Sequence, residues 1–242
     1  METEVEYLIE RSPNVVRLEK LPQGLHNEPD VLRQRIQALI DQLEGDECCD
    51  AIVLVYGLCS GGTQSVRAER CPLVIPRAHD CITLLLGSRQ RYAEYVRQHP
   101  GTYWYSPGWN RHHTPPGPER YANVHRDYVE RFGEDNADYL MQTEQHWFSA
   151  YHRATYVHLS IGATDFDRDT TQRCAEWLGW DYDEQAGDPG LLRSLLSGDW
   201  DDERFLVLRP GQTLRMTGDE SVMTVCDLPS GSAEGGWNKS TP

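Results

Sequence analysis

Two cysteines and a histidine follow two short apolar segments of the chain. Cys59 comes after the run at 50–56, and His79 and Cys81 come after the run at 71–76. Thiolate and imidazole groups are ligands that suit zinc, and also iron or nickel. If the two runs are neighbouring parallel strands, the loops after them meet at the same edge of a sheet. The spacing therefore predicts a metal site formed by Cys59, His79 and Cys81.

The ligand count indicates what kind of metal site this would be. Three protein ligands plus an open position are typical of catalytic zinc rather than structural zinc. The fourth position is predicted to be Cys174 or solvent, and both alternatives are kept. Asp80 lies between two predicted ligands and is expected to act as a catalytic residue by orienting them.

Other residues near these segments are predicted to bind cofactor or substrate. The glycines would let backbone amides approach a ligand, and an arginine would hold an anionic group. Arg77 is predicted to be catalytic in this sense. The predicted cofactor-binding residues are Gly57, Gly61, Gly62, Ser88 and Trp109. Trp109 belongs to the segment 107–118, which is rich in Gly, Pro and His and is predicted to be a loop that covers the site.

The composition excludes several classes of function. The chain has 242 residues, with 38 acidic and 23 basic side chains and a net charge of −15. Such acidity argues against nucleic acid and anionic membranes as partners. No run approaches the roughly 20 apolar residues that a membrane-spanning helix needs. The acidic first residues do not resemble a signal peptide, and the seven cysteines are an odd number, so a cytoplasmic protein with reduced thiols is expected.

Strand and helix patterns alternate along the chain, which predicts an α/β fold. We expect a mainly parallel sheet flanked by helices, with Rossmann-like strand–helix units and two similar halves. Strands are predicted at 15–21, 50–56, 71–76, 102–105, 156–161 and 205–208. Helices are predicted at 4–10, 30–43, 82–98, 121–146, 170–178 and 190–196. Residues 1–227 are predicted to form a single domain with a subdomain boundary near 107–120, followed by a flexible tail at 228–242.

Several motifs resemble those of a known family. The segments YGLCSGG, LVIPRAHDCITLLLGS, PGTYWYSPGW, FGEDNADYLM and GDPGLLRSLLSGDW are similar to the bacterial and archaeal family called domain of unknown function 1638. The resemblance runs from about Glu4 to Gln212 and implies a shared fold and a shared site at Cys59, His79 and Cys81. It implies no particular activity. Separately, His79-x-Cys81 followed by Cys174 resembles the zinc pattern of thiol methyltransferases that demethylate corrinoid proteins.

These observations favour a metal-dependent enzyme that transfers a thiol or methyl group. Zinc is the expected cofactor, with an iron–sulfur cluster, nickel or iron as alternatives. The expected partners are a small thiol or methyl donor and, by the second resemblance, a corrinoid protein. The alternatives are an iron–sulfur or metal-carrying accessory protein, a metal-dependent hydrolase and a metal-free small-molecule binder. The chain lacks the phosphate-loop and Gly-x-Ser-x-Gly motifs.

Overall fold

The computed structural model describes residues 1–46 and 49–227, so the predicted tail at 228–242 lies outside the described residues. The helices are α1 (Glu2–Ile9), α2 (Pro29–Asp46), α3 (Cys81–Leu86), α4 (Arg89–Gln98), α5 (Pro107–His112), α6 (Pro118–Phe132), α7 (Glu134–Phe148), α8 (Asp165–Leu178) and α9 (Gly190–Ser197). The strands are β1 (Ile52–Val53), β2 (Leu73–Pro76), β3 (Thr102–Tyr105), β4 (Arg153–His158), β5 (Asp181–Ala186), β6 (Phe205–Leu208), β7 (Gln212–Met216) and β8 (Met223–Asp227).

The chain divides into two compact units. The first unit comprises residues 1–18, 55–57 and 78–200, and the second comprises residues 19–54, 58–77 and those from 201 onward. The predicted boundary at 107–120 falls within the first unit. The single domain over 1–227 stays a prediction.

The first unit contains an all-parallel sheet in the order β3-β4-β5. Tyr105 of β3 pairs with Tyr156 of β4, and both side chains are fully buried. They pack in one cluster with Ala154 of β4 and with Cys174 and Ala175 of α8. The fold is therefore α/β as predicted, and its parallel strands alternate with helices.

The second unit combines parallel and antiparallel pairing. Strand β1 pairs with β2 in parallel, whereas β6 pairs with β2 in the antiparallel direction. All four residues of β2 are buried, which explains its continuous apolar sequence. Strands β7 and β8 form an antiparallel hairpin that the sequence patterns did not predict.

Two predicted helices are each divided into two. The helix predicted at 82–98 ends at Gly87, whose φ of +75° places it in the left-handed region that terminates helices. The Ser88 hydroxyl then accepts a hydrogen bond from the amide of Arg91 and starts α4. The helix predicted at 121–146 is likewise interrupted at Gly133, between α6 and α7.

Two further predictions of secondary structure were wrong. The segment at 15–21 is not a strand. Val15 at its start is fully exposed, so the alternation of apolar and polar residues does not bury it against a core. The segment at 107–118 was predicted as a loop but contains α5. The Ser106 hydroxyl accepts a hydrogen bond from the amide of Trp109 at 3.3 Å, and Pro107 suits the first position of a helix.

A buried carboxylate joins α5 to α8. Asp167 is fully buried and forms an ion pair with Arg111, and it accepts hydrogen bonds from the amide and hydroxyl of Thr164 at 3.0 and 2.7 Å. Burial alone would raise the pKa of Asp167, but the hydrogen bonds from Arg111 and Thr164 outweigh burial and lower it. The charge therefore stabilises the fold only while its partners are present.

We expect Arg111→Met to lower the free energy of unfolding by about 2–3 kcal/mol, because it leaves the buried Asp167 carboxylate without its counter-charge. Urea denaturation followed by circular dichroism measures this change. Arg97→Met is the matched control, because Arg97 pairs with Glu94 at the exposed surface of α4. Equal effects of the two substitutions would contradict the structural role of the buried pair.

Candidate functional site

The predicted metal-binding turn His79–Asp80–Cys81 lies in the first unit, where Asp80 starts helix α3. One carboxylate oxygen of Asp80 accepts hydrogen bonds from the amides of Ile82 at 3.0 Å and Thr83 at 3.1 Å. These amides have no partner within the helix, so the carboxylate supplies the missing acceptor. Asp80 therefore fixes the backbone between the two predicted ligands.

The other carboxylate oxygen of Asp80 accepts a hydrogen bond from the hydroxyl of Tyr92 at 3.0 Å. Burial and the nearby Asp80 charge both raise the pKa of Tyr92, so its hydroxyl keeps the proton that it donates. The Tyr92 ring lies near two other rings, with its centroid 6.1 Å from that of His79 and 6.1 Å from that of Trp104. Asp80 is thus held by α4 as well as by its own helix.

Gly57 packs directly against the backbone of Asp80. A Cβ atom at position 57 would lie 2.8 Å from the Cα atom of Asp80, closer than real side chains approach. Glycine was predicted here so that a backbone amide could approach a ligand. In the structure, the absence of a side chain at Gly57 instead makes room for the backbone of Asp80.

The two predicted ligands on this turn are exposed to solvent. Both His79 and Cys81 are exposed, whereas Ala78 and Ile82 on either side of the turn are buried. The turn therefore presents an imidazole and a thiol outward from a backbone that is fixed from within. Such a pair can bind a soft metal ion or carry out thiol chemistry.

Cys59 belongs to the second unit, and its backbone conformation is unusual. Its φ is +36°, a region that residues other than glycine rarely adopt. Conformations of this kind cost about 1–3 kcal/mol and cluster at functional sites. The strain is an independent reason to retain Cys59 as a candidate ligand.

The two glycines after Cys59 have packing roles in the second unit. The carbonyl of Gly61 accepts a hydrogen bond from Arg33 of α2 at 3.0 Å. A Cβ atom at Gly62 would meet the side chain of Leu32 at closer than contact distance. Their predicted role in binding a cofactor stays a prediction.

Within residues 1–46 and 49–227, no group of three or more His, Cys, Asp or Glu side chains is placed to hold a metal ion. Cys59 belongs to one unit, and His79 and Cys81 belong to the other. The three-ligand centre stays a prediction, whereas His79 and Cys81 share one turn of the first unit.

The structure places Cys174, the predicted fourth ligand, in the hydrophobic core. Its side chain on α8 is 5% exposed and packs with Tyr105 and Tyr156. Burial raises the pKa of the Cys174 thiol to about 11, which disfavours the thiolate that a metal requires. A Cβ atom at Gly117 would collide with its sulfur, so the thiol is closely enclosed on that side.

The structure gives the other predicted site residues structural contacts. The Arg77 guanidinium donates hydrogen bonds to backbone carbonyls, including those of Asp202 at 2.9 Å and Ser221 at 3.0 Å. Ser88 caps α4, and Trp109 stacks on His113 with centroids 4.0 Å apart while packing against the core cluster around Tyr105. Ligand contacts by these three residues stay predictions.

A pair of cysteines was missed by the sequence analysis. The sulfur atoms of Cys49 and Cys71 lie 3.3 Å apart, with Cys49 exposed and Cys71 buried. Glu44 of α2 accepts hydrogen bonds from the amides of Glu69, Arg70 and Cys71 and fixes this region. Burial, followed by the contact with Cys49, raises the pKa of Cys71 to about 12. Their separation of 22 residues gave no signal, because only the folded chain brings them together.

The chain matches the model of a known protein family. The model of a family described as protein of unknown function (DUF1638) matches residues 20–196. No curated protein and no solved structure matches the chain. In the described part of the chain, every helix is too short or too polar to cross a membrane.

We expect Gly57→Ala to destabilise the first unit by about 1–3 kcal/mol, because the added methyl group must displace the Asp80 backbone. Urea denaturation gives the value. The matched control is Gly45→Ala in α2, where nothing lies within 4 Å of the added atom. Alanine should stabilise that helix by about 0.5–1 kcal/mol. A neutral Gly57→Ala would mean that the close approach does not constrain the turn.

We also expect diamide to join Cys49 to Cys71 in a disulfide, because their sulfur atoms are almost in contact. Mass spectrometry of the oxidised protein should show the loss of two hydrogens, and dithiothreitol should reverse it. Cys49→Ser and Cys71→Ser should both abolish this bond, whereas Cys226→Ser should not. A disulfide that survives Cys71→Ser would contradict the pairing.

Proposed function

The chain belongs to the DUF1638 family, and on that premise we propose that it is a metal-dependent transferase acting on thiol or methyl groups. The proposed reactive centre is the turn that carries His79 and Cys81. Zinc is the proposed cofactor. The proposed substrates are a small thiol and a methyl donor, the latter including a methylated corrinoid protein.

A single observation carries this proposal. His79 and Cys81 are both exposed on one turn whose backbone is fixed by the hydrogen bonds of Asp80. Neither side chain is buried in the core, although the residues on either side of the turn are. Preorganised donors on a rigid element are the arrangement that a reactive metal site needs.

The donor chemistry of the turn fits zinc. An imidazole nitrogen and a thiolate sulfur are both common zinc ligands, and His79 and Cys81 would hold the ion. Cys59 is the further ligand that the sequence predicts, and a substrate thiol is a chemically suitable additional donor. When bound, zinc keeps a thiol deprotonated at neutral pH and so supplies a nucleophile.

The residues around the turn have roles that do not require them to react. Asp80 accepts hydrogen bonds from two amides and from Tyr92, so it orients the turn rather than removing a proton. The Tyr92 ring lies 6.1 Å from the His79 ring and stacks on that of Trp104, with centroids 6.1 Å apart. Aromatic faces of this kind can shield a thiolate from water and accept the methyl group of a donor.

The cysteines support a cytoplasmic location, which is part of the proposal. None of the six cysteines within the described residues forms a disulfide, and this includes the closely placed Cys49 and Cys71. Reduced thiols are the normal state in a cytoplasm. Thiol-based transfer chemistry requires the same reducing conditions.

Metal analysis of protein purified without oxygen tests the proposal. We expect stoichiometric zinc in the wild type and its loss in His79→Ala and Cys81→Ser, with unchanged melting temperatures because both side chains are exposed. Cys226→Ser is the control that should keep its zinc. The same measurement on Cys59→Ser tests the third predicted ligand.

Activity supplies the second part of this test. The zinc-loaded protein should accelerate methyl transfer from methylcobalamin to 2-mercaptoethanol, followed by the change in cobalamin absorbance, and Cys81→Ser should abolish the acceleration. Iron with acid-labile sulfide would support a cluster-carrying accessory protein instead. Protein that binds no metal and shows no transfer would refute the proposal.

A further inference from the structure

A cavity in the first unit lies between the N-terminal turn of α6 and one face of α8. Its volume is about 350 Å³, near the lower end of the range of about 300–1,000 Å³ for small-molecule sites. Its wall includes Pro115, Glu119, Arg173 and Cys174. We propose that this cavity and the aromatic side chains next to it bind an amino acid with an aromatic side chain. This goes beyond the transferase proposed above, because the His79–Cys81 turn takes no part in the cavity.

The cavity wall carries one positive and one negative side chain. Arg173 and Glu119 both line the cavity, yet within the described residues the structure records no hydrogen bond or ion pair for either of them. Two opposite charges on the wall of one cavity, not paired with each other, suit a ligand that carries both charges itself. The Arg173 guanidinium matches a carboxylate, and the Glu119 carboxylate matches an ammonium group. An α-amino acid has these two groups on a single carbon atom.

The two charged groups lie beside a buried apolar part of the wall. Cys174 is 5% exposed, and Pro115 is also buried. Burial raises the pKa of the Cys174 thiol, the Arg173 charge lowers it, and the Glu119 charge raises it further. Both charges are therefore within electrostatic range of the same sulfur atom. Next to such a wall, ion pairs with a ligand are screened less than ion pairs on an open surface.

The next turn of α8 places an aromatic surface beside the cavity. Trp177 follows Cys174 by three residues and Arg173 by four, which puts all three on one face of the helix. The centroid of the Trp177 ring lies 5.4 Å from that of Tyr121 in α6. Both side chains keep much of their surface exposed, 45% for Trp177 and 36% for Tyr121. The two rings thus offer a ligand an apolar surface that the protein itself does not cover.

The spacing along α8 suits the shape of an aromatic amino acid. Three residues of an α-helix rise about 4.5 Å, so Trp177 lies one turn beyond Cys174. In phenylalanine, only one methylene group separates the ring from the carbon that bears the carboxylate and the ammonium group. With these two charges at Arg173 and Glu119, the ring would reach the surface formed by Trp177 and Tyr121. The charges therefore select an amino acid, and the rings select an aromatic side chain.

Calorimetric titration of the full-length protein with L-phenylalanine tests the proposal. We expect saturable binding with a dissociation constant below about 1 mM. Two analogues separate the charges, because 3-phenylpropionate lacks the ammonium group and phenethylamine lacks the carboxylate. Each analogue leaves one charged side chain of the cavity without its partner, so each should bind at least about tenfold more weakly than phenylalanine.

Substitutions assign each charge to its side chain. Arg173→Gln should weaken phenylalanine binding about tenfold without weakening that of phenethylamine, and Glu119→Gln should do the same without weakening that of 3-phenylpropionate. Trp177→Ala should reduce the affinity for phenylalanine toward the affinity for L-alanine. The matched controls are Arg126→Gln and Glu130→Gln, at exposed positions of α6 outside the cavity wall. Both controls should bind phenylalanine like the wild type.

Two further measurements isolate this site. EDTA should leave phenylalanine binding unchanged, which separates the cavity from the proposed metal centre, and melting temperatures confirm that each variant is folded. The proposal is overturned if phenylalanine does not bind at concentrations up to about 10 mM, or if either analogue binds as tightly as phenylalanine. It is also overturned if folded Arg173→Gln or folded Glu119→Gln binds phenylalanine like the wild type.

Discussion

The hydrogen bonds accepted by Asp80 are the interaction that positions the proposed reactive turn. One carboxylate satisfies the amides of Ile82 and Thr83 and receives the hydroxyl of Tyr92. Because these hydrogen bonds fix the turn through Asp80, His79 and Cys81 are not needed to hold it, and both are exposed to solvent. Gly57 packs against the Asp80 backbone and adds to this support.

Other carboxylates organise the chain in the same way. Glu44 accepts three backbone amides, and Asp167 binds Arg111 and Thr164. For both groups burial would raise the pKa, but the hydrogen bonds outweigh it and lower the pKa. A carboxyl group whose pKa is lowered by folding stabilises the folded state at pH values above its unfolded pKa, which is near 4. This stabilisation is lost as the pH falls through the pKa of the folded state. The chain has a net charge of −15. Glu44 and Asp167 differ from its solvent-exposed acids because they are buried and hold the fold together.

The sequence predicted those elements whose residues face a core. The strands at 102–105 and 205–208 have the predicted bounds, because their apolar and aromatic side chains are typical of buried strands. Strand β5, Asp181–Ala186, was missed because its acidic side chains pair with Arg153, Arg168 and Tyr95 instead of forming an apolar run. The His79–Cys81 turn could be predicted from residue types, whereas the contacts of Cys49 with Cys71 and of His158 with Glu184 depend on tertiary pairing.

We propose that the turn fixed by Asp80 supplies both an imidazole and a thiolate to a metal ion. X-ray absorption at the zinc edge of the zinc-loaded protein measures this directly, because sulfur and nitrogen ligands scatter at different distances. We expect sulfur at about 2.3 Å and imidazole nitrogen at about 2.0 Å, with the sulfur signal reduced in Cys81→Ser. A spectrum with only oxygen and nitrogen ligands, or one that Cys81→Ser leaves unchanged, would contradict it.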